Sequence, residues 1–191
     1  MRISGGKARG IPLTVPKGDA VRPATDGLRQ SVFSSIASRI PGAHFLDLCA
    51  GSGSYGLEAI SRGAASGCFV EKNAKAASCL RANIAAVCKS AAHDPRALHV
   101  SQCDLAAWAP PAGTPPPELV FIDPPYEIIG NLAPVFFAKT AEWLAASIDP
   151  VIVFEMPGEL TLTTPPAWTL AKRLGGKSPR QPTVCFYLRT K

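Results

Sequence analysis

The sequence predicts an α/β fold: a parallel sheet with helices on both faces, preceded by a short extended arm. Three observations carry this. Short apolar runs alternate with stretches of helical spacing from about residue 43 to residue 155. The runs are apolar almost without a break, as strands covered on both faces must be. The first 22 residues interrupt their apolar positions with glycine and proline, which excludes a helix there.

Taken in order, residues 1–22 place Ile11, Leu13 and Val15 among Gly5, Gly6, Gly10, Pro12 and Pro16, the pattern of a β-hairpin or extended arm. From Asp26 the spacing turns helical. Leu28, Val32, Ile36 and Ile40 recur every four residues, Phe33 and Ala37 widen the stripe, Thr25 or Asp26 caps it, and Pro41-Gly42 stop it. Strands are expected at 44–49, 67–71, 98–101, 118–123 and 151–155. Helices are expected after Gly53, from about Asn73 with Ala77, Leu80, Ile84 and Val87 on one face, and over 131–147. Residues 110–117 hold five prolines and read as a stiff surface loop. The tail reads as a strand pair, 169–174 and 183–189, joined by a basic loop. The division is therefore an arm, 1–22, and one domain, 23–191.

Composition limits the function classes. No run approaches the roughly 18 apolar residues of a membrane span, and the N-terminus lacks a secretory pattern, so a cytoplasmic protein is expected. The cysteines at 49, 68, 79, 88, 103 and 185 show no CxxC pairing and no partner at metal-ligand spacing; neither a disulfide framework nor a metal site is expected. The net charge of +6 is unevenly placed. Residues 1–42 carry seven Lys/Arg against two acids, 43–171 seven against twelve, and 172–191 six against none. Two basic ends on an acidic body attract a polyanion, with plainly solvated termini as the alternative.

Two motifs carry chemistry. The first is Asp47-Leu48-Cys49-Ala50-Gly51-Ser52-Gly53-Ser54-Tyr55-Gly56, at the turn from the first parallel strand into a helix. Glycines there let the backbone close tightly on a nucleotide-type cofactor. Glu71, twenty residues after Gly51, ends the next strand, where a carboxylate accepts from ribose hydroxyls. Asp47 decides between cofactors: a dinucleotide's pyrophosphate would meet a negative charge, whereas the ammonium and sulfonium of S-adenosylmethionine are drawn to one. Asp104, after the third strand, is placed to take the adenine amino group or to cap a helix. The second motif is Asp123-Pro124-Pro125-Tyr126, after the fourth strand. A carboxylate and the Pro124 carbonyl form an acceptor pair for an –NH2 group with two donors. The Tyr126 ring beside them offers a base a face to stack on, worth roughly 1–3 kcal/mol.

The pairing of this second motif with an upstream glycine loop resembles the amino-methyltransferases of nucleic acids. More closely, the chain resembles the RsmD-like family of 16S ribosomal RNA guanine-N2 methyltransferases. The resemblance spans nearly the whole sequence. It runs through Arg2-Ile3-Ser4-Gly5-Gly6-Lys7, Arg9-Gly10, Leu13, Val15-Pro16, Arg22-Pro23-Ala24-Thr25-Asp26, Arg29 and Phe33. It continues in Leu46-Asp47, Gly51-Ser52-Gly53, Gly56-Leu57-Glu58-Ala59, Ser61-Arg62-Gly63 and Glu71. Gly27, Gln30 and Ser54-Tyr55 depart from the family's usual residues, the first of these where an arginine is usual.

The resemblance implies a Rossmann-like class I S-adenosylmethionine-dependent methyltransferase sheet and methyl transfer to the exocyclic N2 amine of a guanine in small-subunit ribosomal RNA. It implies Asp123, Pro124 and Tyr126 at the chemical step, and Asp47, Gly51, Ser52, Gly53, Glu71, Asp104 and Asp123 around the cofactor. Arg2, Lys7, Arg9, Arg22, Arg29 and Pro125 are the expected RNA contacts, with Lys172, Arg173, Lys177 and Arg180 as further phosphate partners. The expected partner is ribosomal RNA in a small-subunit particle, met by a monomer. Three rivals stay open on the residues alone. N6-adenine methylation of DNA or RNA uses the same motifs. An NAD-linked oxidoreductase shares the glycine loop but leaves the second motif unexplained. A non-catalytic RNA-binding protein would have no need of Asp47, Glu71 and Asp123 together.

Overall fold

The computed structural model describes residues 1–16 and 26–190. Seven strands form one sheet: β1 (His44–Leu48), β2 (Ser66–Val70), β3 (Leu98–Ser101), β4 (Leu119–Ile122), β5 (Val151–Pro157), β6 (Trp168–Gly175) and β7 (Pro182–Arg189). Their order is β3-β2-β1-β4-β5-β7-β6. The first five are parallel, and the tail hairpin joins antiparallel along β5. The order reverses between β1 and β4, and at such a switch point the strand ends leave a crevice for a ligand.

Among the described residues four α-helices cover the sheet: α1 (Asp26–Ser35), α2 (Ser54–Ser61), α3 (Ala74–Ala91) and α4 (Ile129–Trp143). Side chains of α1, α2 and α3, including Val32, Phe33, Tyr55, Leu57, Leu80 and Val87, pack with Phe45, Phe69 and Phe121 on one face. On the other, α4 packs Ile129, Phe136 and Phe137 against Leu46, Ile122 and Phe154. Helices thus lie on both faces, as the apolar strands required.

Two elements differ from expectation in form. The apolar stripe through Ile40 is not one helix: α1 ends at Ser35, and a three-residue 3-10 turn, Ala37–Arg39, carries Ile36 and Ile40 into the core. Ser31 and Ser35 turn their hydroxyls back onto the carbonyls of Gly27 and Ser31, a competition that weakens the helical ladder. Among its described residues, 1–16, the arm makes one antiparallel bridge, Arg2 to Pro12, with Ile3 N to Ile11 O at 2.9 Å and Gly10 N to Ile3 O at 2.9 Å on one side. Pro12 sits at the non-hydrogen-bonded position of the bridge, where its missing N–H costs nothing, and beyond it Leu13 N donates to the Met1 carbonyl at 3.1 Å. Ile3, Ala8 and Leu13 are buried in the main core. Thr25, the alternative cap of α1, lies outside the described residues.

Candidate functional site

The site is built where β1, β4 and β5 end. After β1 the chain turns through Cys49, Gly51 and Gly53, all at positive φ (62°, 55° and 83°). Gly53 requires its glycine twice: its φ is left-handed, and a β-carbon would run into Leu80 Cδ1 of α3. Glu71 fixes the loop from the next strand. Its Oε2 accepts from Gly51 N at 2.7 Å and its Oε1 from Asn73 N at 2.6 Å. One lone pair on each oxygen remains for a ligand. Asp47, 2% exposed, accepts from Gly56 N at 2.8 Å and so ties β1 to the first turn of α2.

Asp123 follows β4 and is half-buried, Pro124 is buried, Pro125 exposed and Tyr126 half-buried. The Pro125 carbonyl accepts from Ile128 N at 3.2 Å, whereas none of the described residues donates to the Pro124 carbonyl. Tyr126 opens a short 3-10 turn, Tyr126–Ile128, that leads into α4, and its ring lies at the margin of the core.

Glu155 belongs to this cluster and was not anticipated. The register pairing Ile122 with Phe154 sets Asp123, just past the end of β4, beside Glu155, which lies within β5 opposite Val184 of β7. Glu155 is 1% exposed and accepts from the Tyr55 hydroxyl at 2.7 Å. A lone glutamate inside the apolar run Val151-Ile152-Val153-Phe154-Glu155-Met156 was the available signal. Tyr55, read as a departure in the cofactor loop, supplies its partner.

The electrostatics are those of excess negative charge. Burial raises the Asp47 carboxyl well above its usual range, and Asp123 and Glu71 add to the rise. Burial likewise raises Asp123. Glu155 rises through burial and then through the charge of Asp123. The Asp123 carboxylate thus lies within electrostatic reach of Asp47, of Cys49 in the turn after β1, and of Glu155.

Asp104 stands apart from this cluster. It is exposed, caps the 3-10 turn Leu105–Ala107 through Ala106 N at 2.9 Å, and pairs with Lys72 Nζ at 2.8 Å. The Lys72 hydrogen bond, then that from Ala106, holds its carboxyl below the usual range. Of the two readings offered for Asp104, capping is the one its present contacts satisfy.

The expected RNA contacts divide. Arg2, Lys7, Arg9, Lys172, Lys177 and Arg180 are exposed. Arg29 is a correction: its side chain is fully buried, so it cannot meet a phosphate. Its guanidinium donates to the Arg2 carbonyl and to Asp26 Oδ1 at 2.8 Å, with Glu58 Oε2 3.6 Å from Nε. Arg173 is also occupied, donating to the carbonyls of Gly158 and Leu160. Arg22 lies outside the described residues.

The chain is similar to known proteins over most of its length. The family model described as conserved hypothetical protein 95 matches residues 1–182. A protein of Escherichia coli strain K12 called ribosomal RNA small subunit methyltransferase D is 34% identical over 171 residues, 89% of this chain and 82% of its own length. Its namesake in Haemophilus influenzae is 33% identical over 175 residues, 90% and 86% of the two chains. A solved methyltransferase from Escherichia coli superposes with a TM-score of 0.80 at 30% identity, covering 99% of this chain and 97% of that one.

Proposed function

This chain belongs to the family of ribosomal RNA small subunit methyltransferase D, and we propose that it methylates the N2 amine of a guanine in small-subunit ribosomal RNA. The observation that carries the reading is the row of carboxylates at the sheet's switch point. Asp47, Glu71 and Asp123 crowd negative charge in a poorly solvated place. A cationic ligand relieves that crowding, and a pyrophosphate would aggravate it. The residues therefore fit S-adenosylmethionine: Asp47, Gly51, Ser52, Gly53 and Glu71 hold it, with Asp104 toward its adenine end. When bound, it supplies a methyl group activated on a sulfonium centre.

The chain's own work is alignment. The Asp123 carboxylate and the free Pro124 carbonyl accept the two hydrogens of the guanine amine and turn its lone pair toward the cofactor side. A base must leave its stack to reach that place, at a cost of a few kcal/mol. Stacking on the Tyr126 ring, beside the exposed Pro125, offsets it. The exposed Arg2, Lys7 and Arg9, together with Arg22, Lys172, Lys177 and Arg180, grip phosphates. In this reading residues 1–22 are a basic RNA arm and 23–191 the catalytic domain, and the enzyme is a cytoplasmic monomer acting on RNA within a small-subunit particle.

The test is transfer of labelled methyl from S-adenosylmethionine to naked 16S RNA and to assembled small subunits, followed by digestion to nucleosides. Label in N2-methylguanosine is expected, more from the particle than from naked RNA. Label in N6-methyladenosine, or none with either substrate, overturns the reading.

A further inference from the structure

One side chain outside both motifs joins the arm to the cofactor loop. Asn83 lies on α3 and is 2% exposed. Its Nδ2 donates to the carbonyls of Ser52 and Thr14, each at 2.9 Å, and its Oδ1 accepts from Thr14 N at 2.8 Å. Only one orientation of the amide serves, since two carbonyls face the nitrogen and an N–H faces the oxygen. Thr14 thus exchanges both its backbone groups with a side chain, as it would with a neighbouring strand. Ser52 is the centre of Gly51-Ser52-Gly53, and one turn earlier on α3 Leu80 lies against Gly53. Thr14 is exposed, and Lys17 and Arg22 come three and eight residues later in the sequence.

We infer that Asn83 is a positioning residue that couples the cofactor loop to the basic arm, so that filling the loop orders the arm for its polyanion. A buried amide left with an unmet donor or acceptor is costly, so a shift of either Ser52 or Thr14 away from Asn83 is penalised. A ligand that stiffens Ser52 therefore stabilises the hold on Thr14, and by linkage an occupied arm stabilises the loop. The identity of the arm's ligand rests on the reading above; the link between arm and loop does not.

The test follows amide hydrogen exchange of residues 1–16 with and without S-adenosylhomocysteine in the intact protein. In the wild type the cofactor product should slow exchange around Thr14 by about fivefold or more, the lower end of ordinary coupling. Asn83→Asp keeps the shape and the acceptor but loses both donations; it should abolish that slowing and weaken S-adenosylhomocysteine severalfold. Thr14→Pro removes the arm's N–H, replaces the exposed threonine side chain with a ring that fixes φ, and leaves Asn83 free to keep its bond to Ser52. It should abolish the slowing at Leu13 and Val15 with product affinity nearly unchanged, and it carries the test if Asn83→Asp does not fold. An arm indifferent to the product in the wild type, or slowed equally in either variant, overturns the inference. Small-subunit RNA should bind about fivefold tighter with product present, and this gain should vanish in both variants. RNA that does not bind while the arm responds sinks the substrate reading and leaves the link standing.

Discussion

Two buried charge clusters lie on the same face of the sheet and are treated in opposite ways. At the corner between the arm and α2, Glu58 is fully buried but accepts from Ser4 N and Oγ, each at 2.7 Å, and from Arg62 Nε at 2.8 Å. Arg29 beside it bonds Asp26 and the Arg2 carbonyl. Cations and anions there alternate, so each buried carboxylate oxygen of Glu58 has a donor, while Arg29 Nε and Nη1 lie beside them without a hydrogen-bond partner among the described residues. In the candidate site Asp47, Asp123 and Glu155 meet a backbone N–H, a tyrosine hydroxyl and one another, and none has a cationic side chain bonded to it among the described residues. A cluster of paired opposite charges is scaffold. An unpaired one is a place prepared for a positive ligand, held open at some cost in stability.

The largest effect should come from breaking the paired cluster. Arg29→Met leaves Asp26 and the Arg2 carbonyl without their donor, and thermal unfolding should show a loss of about 3–5 kcal/mol. A loss under about 1 kcal/mol would mean the corner is not the brace described. Next is Gly53→Ala, which forces a side chain into a left-handed position against Leu80. A stability cost of about 1–3 kcal/mol is expected, with S-adenosylhomocysteine affinity by calorimetry falling tenfold or more. Unchanged affinity would dissociate the loop from the cofactor.

A smaller effect sharpens the contrast through pH. The carboxyls of the site have folded pKa values raised above the unfolded carboxylate value of about 4. The folded state then holds protons that the unfolded state releases. Their contribution to stability is full below pH of about 4 and is lost as pH rises through the raised values. Denaturant unfolding of the ligand-free protein should give falling stability from pH 5 to pH 9, and Glu155→Gln should flatten that slope. A slope that stays the same in Glu155→Gln would remove Glu155 from the cluster. The smallest effect belongs to exposed cations: alanine at Arg2, Lys7 or Arg9 should leave stability within about 0.5 kcal/mol. Each should also lower the salt slope of RNA binding by about 0.7 if it meets a phosphate of a single strand.

Arg29 and Arg2 show where a sequence stops being readable. Both are arginines in a basic N-terminal stretch, and charge counting treats them alike. Which one faces water depends on how α1 docks against α2, a tertiary fact with no local signature. The glycine loop and Asp123-Pro124-Pro125-Tyr126 were legible because backbone conformation at a strand end admits few residue types, so the types betray the geometry. The strands and the helices after Gly53 and Asn73 were legible for a related reason, as apolar runs and a stripe ended by capping residues. Glu155 and Asn83 escaped because each acts through a partner some 70 to 100 residues away. The stripe through Ile40 misled at its end, since a 3-10 turn keeps apolar side chains inward as well as a helix does.

The proposed reaction depends on Asp123 as the acceptor that orients the reacting amine, and one comparison reaches it directly. Single-turnover methyl transfer and S-adenosylhomocysteine affinity are measured together for the wild type and Asp123→Ala on assembled small subunits. The expected result is a rate lower by at least about a thousandfold, with product affinity within a few-fold of normal. A variant that still transfers methyl at nearly the native rate would contradict the account.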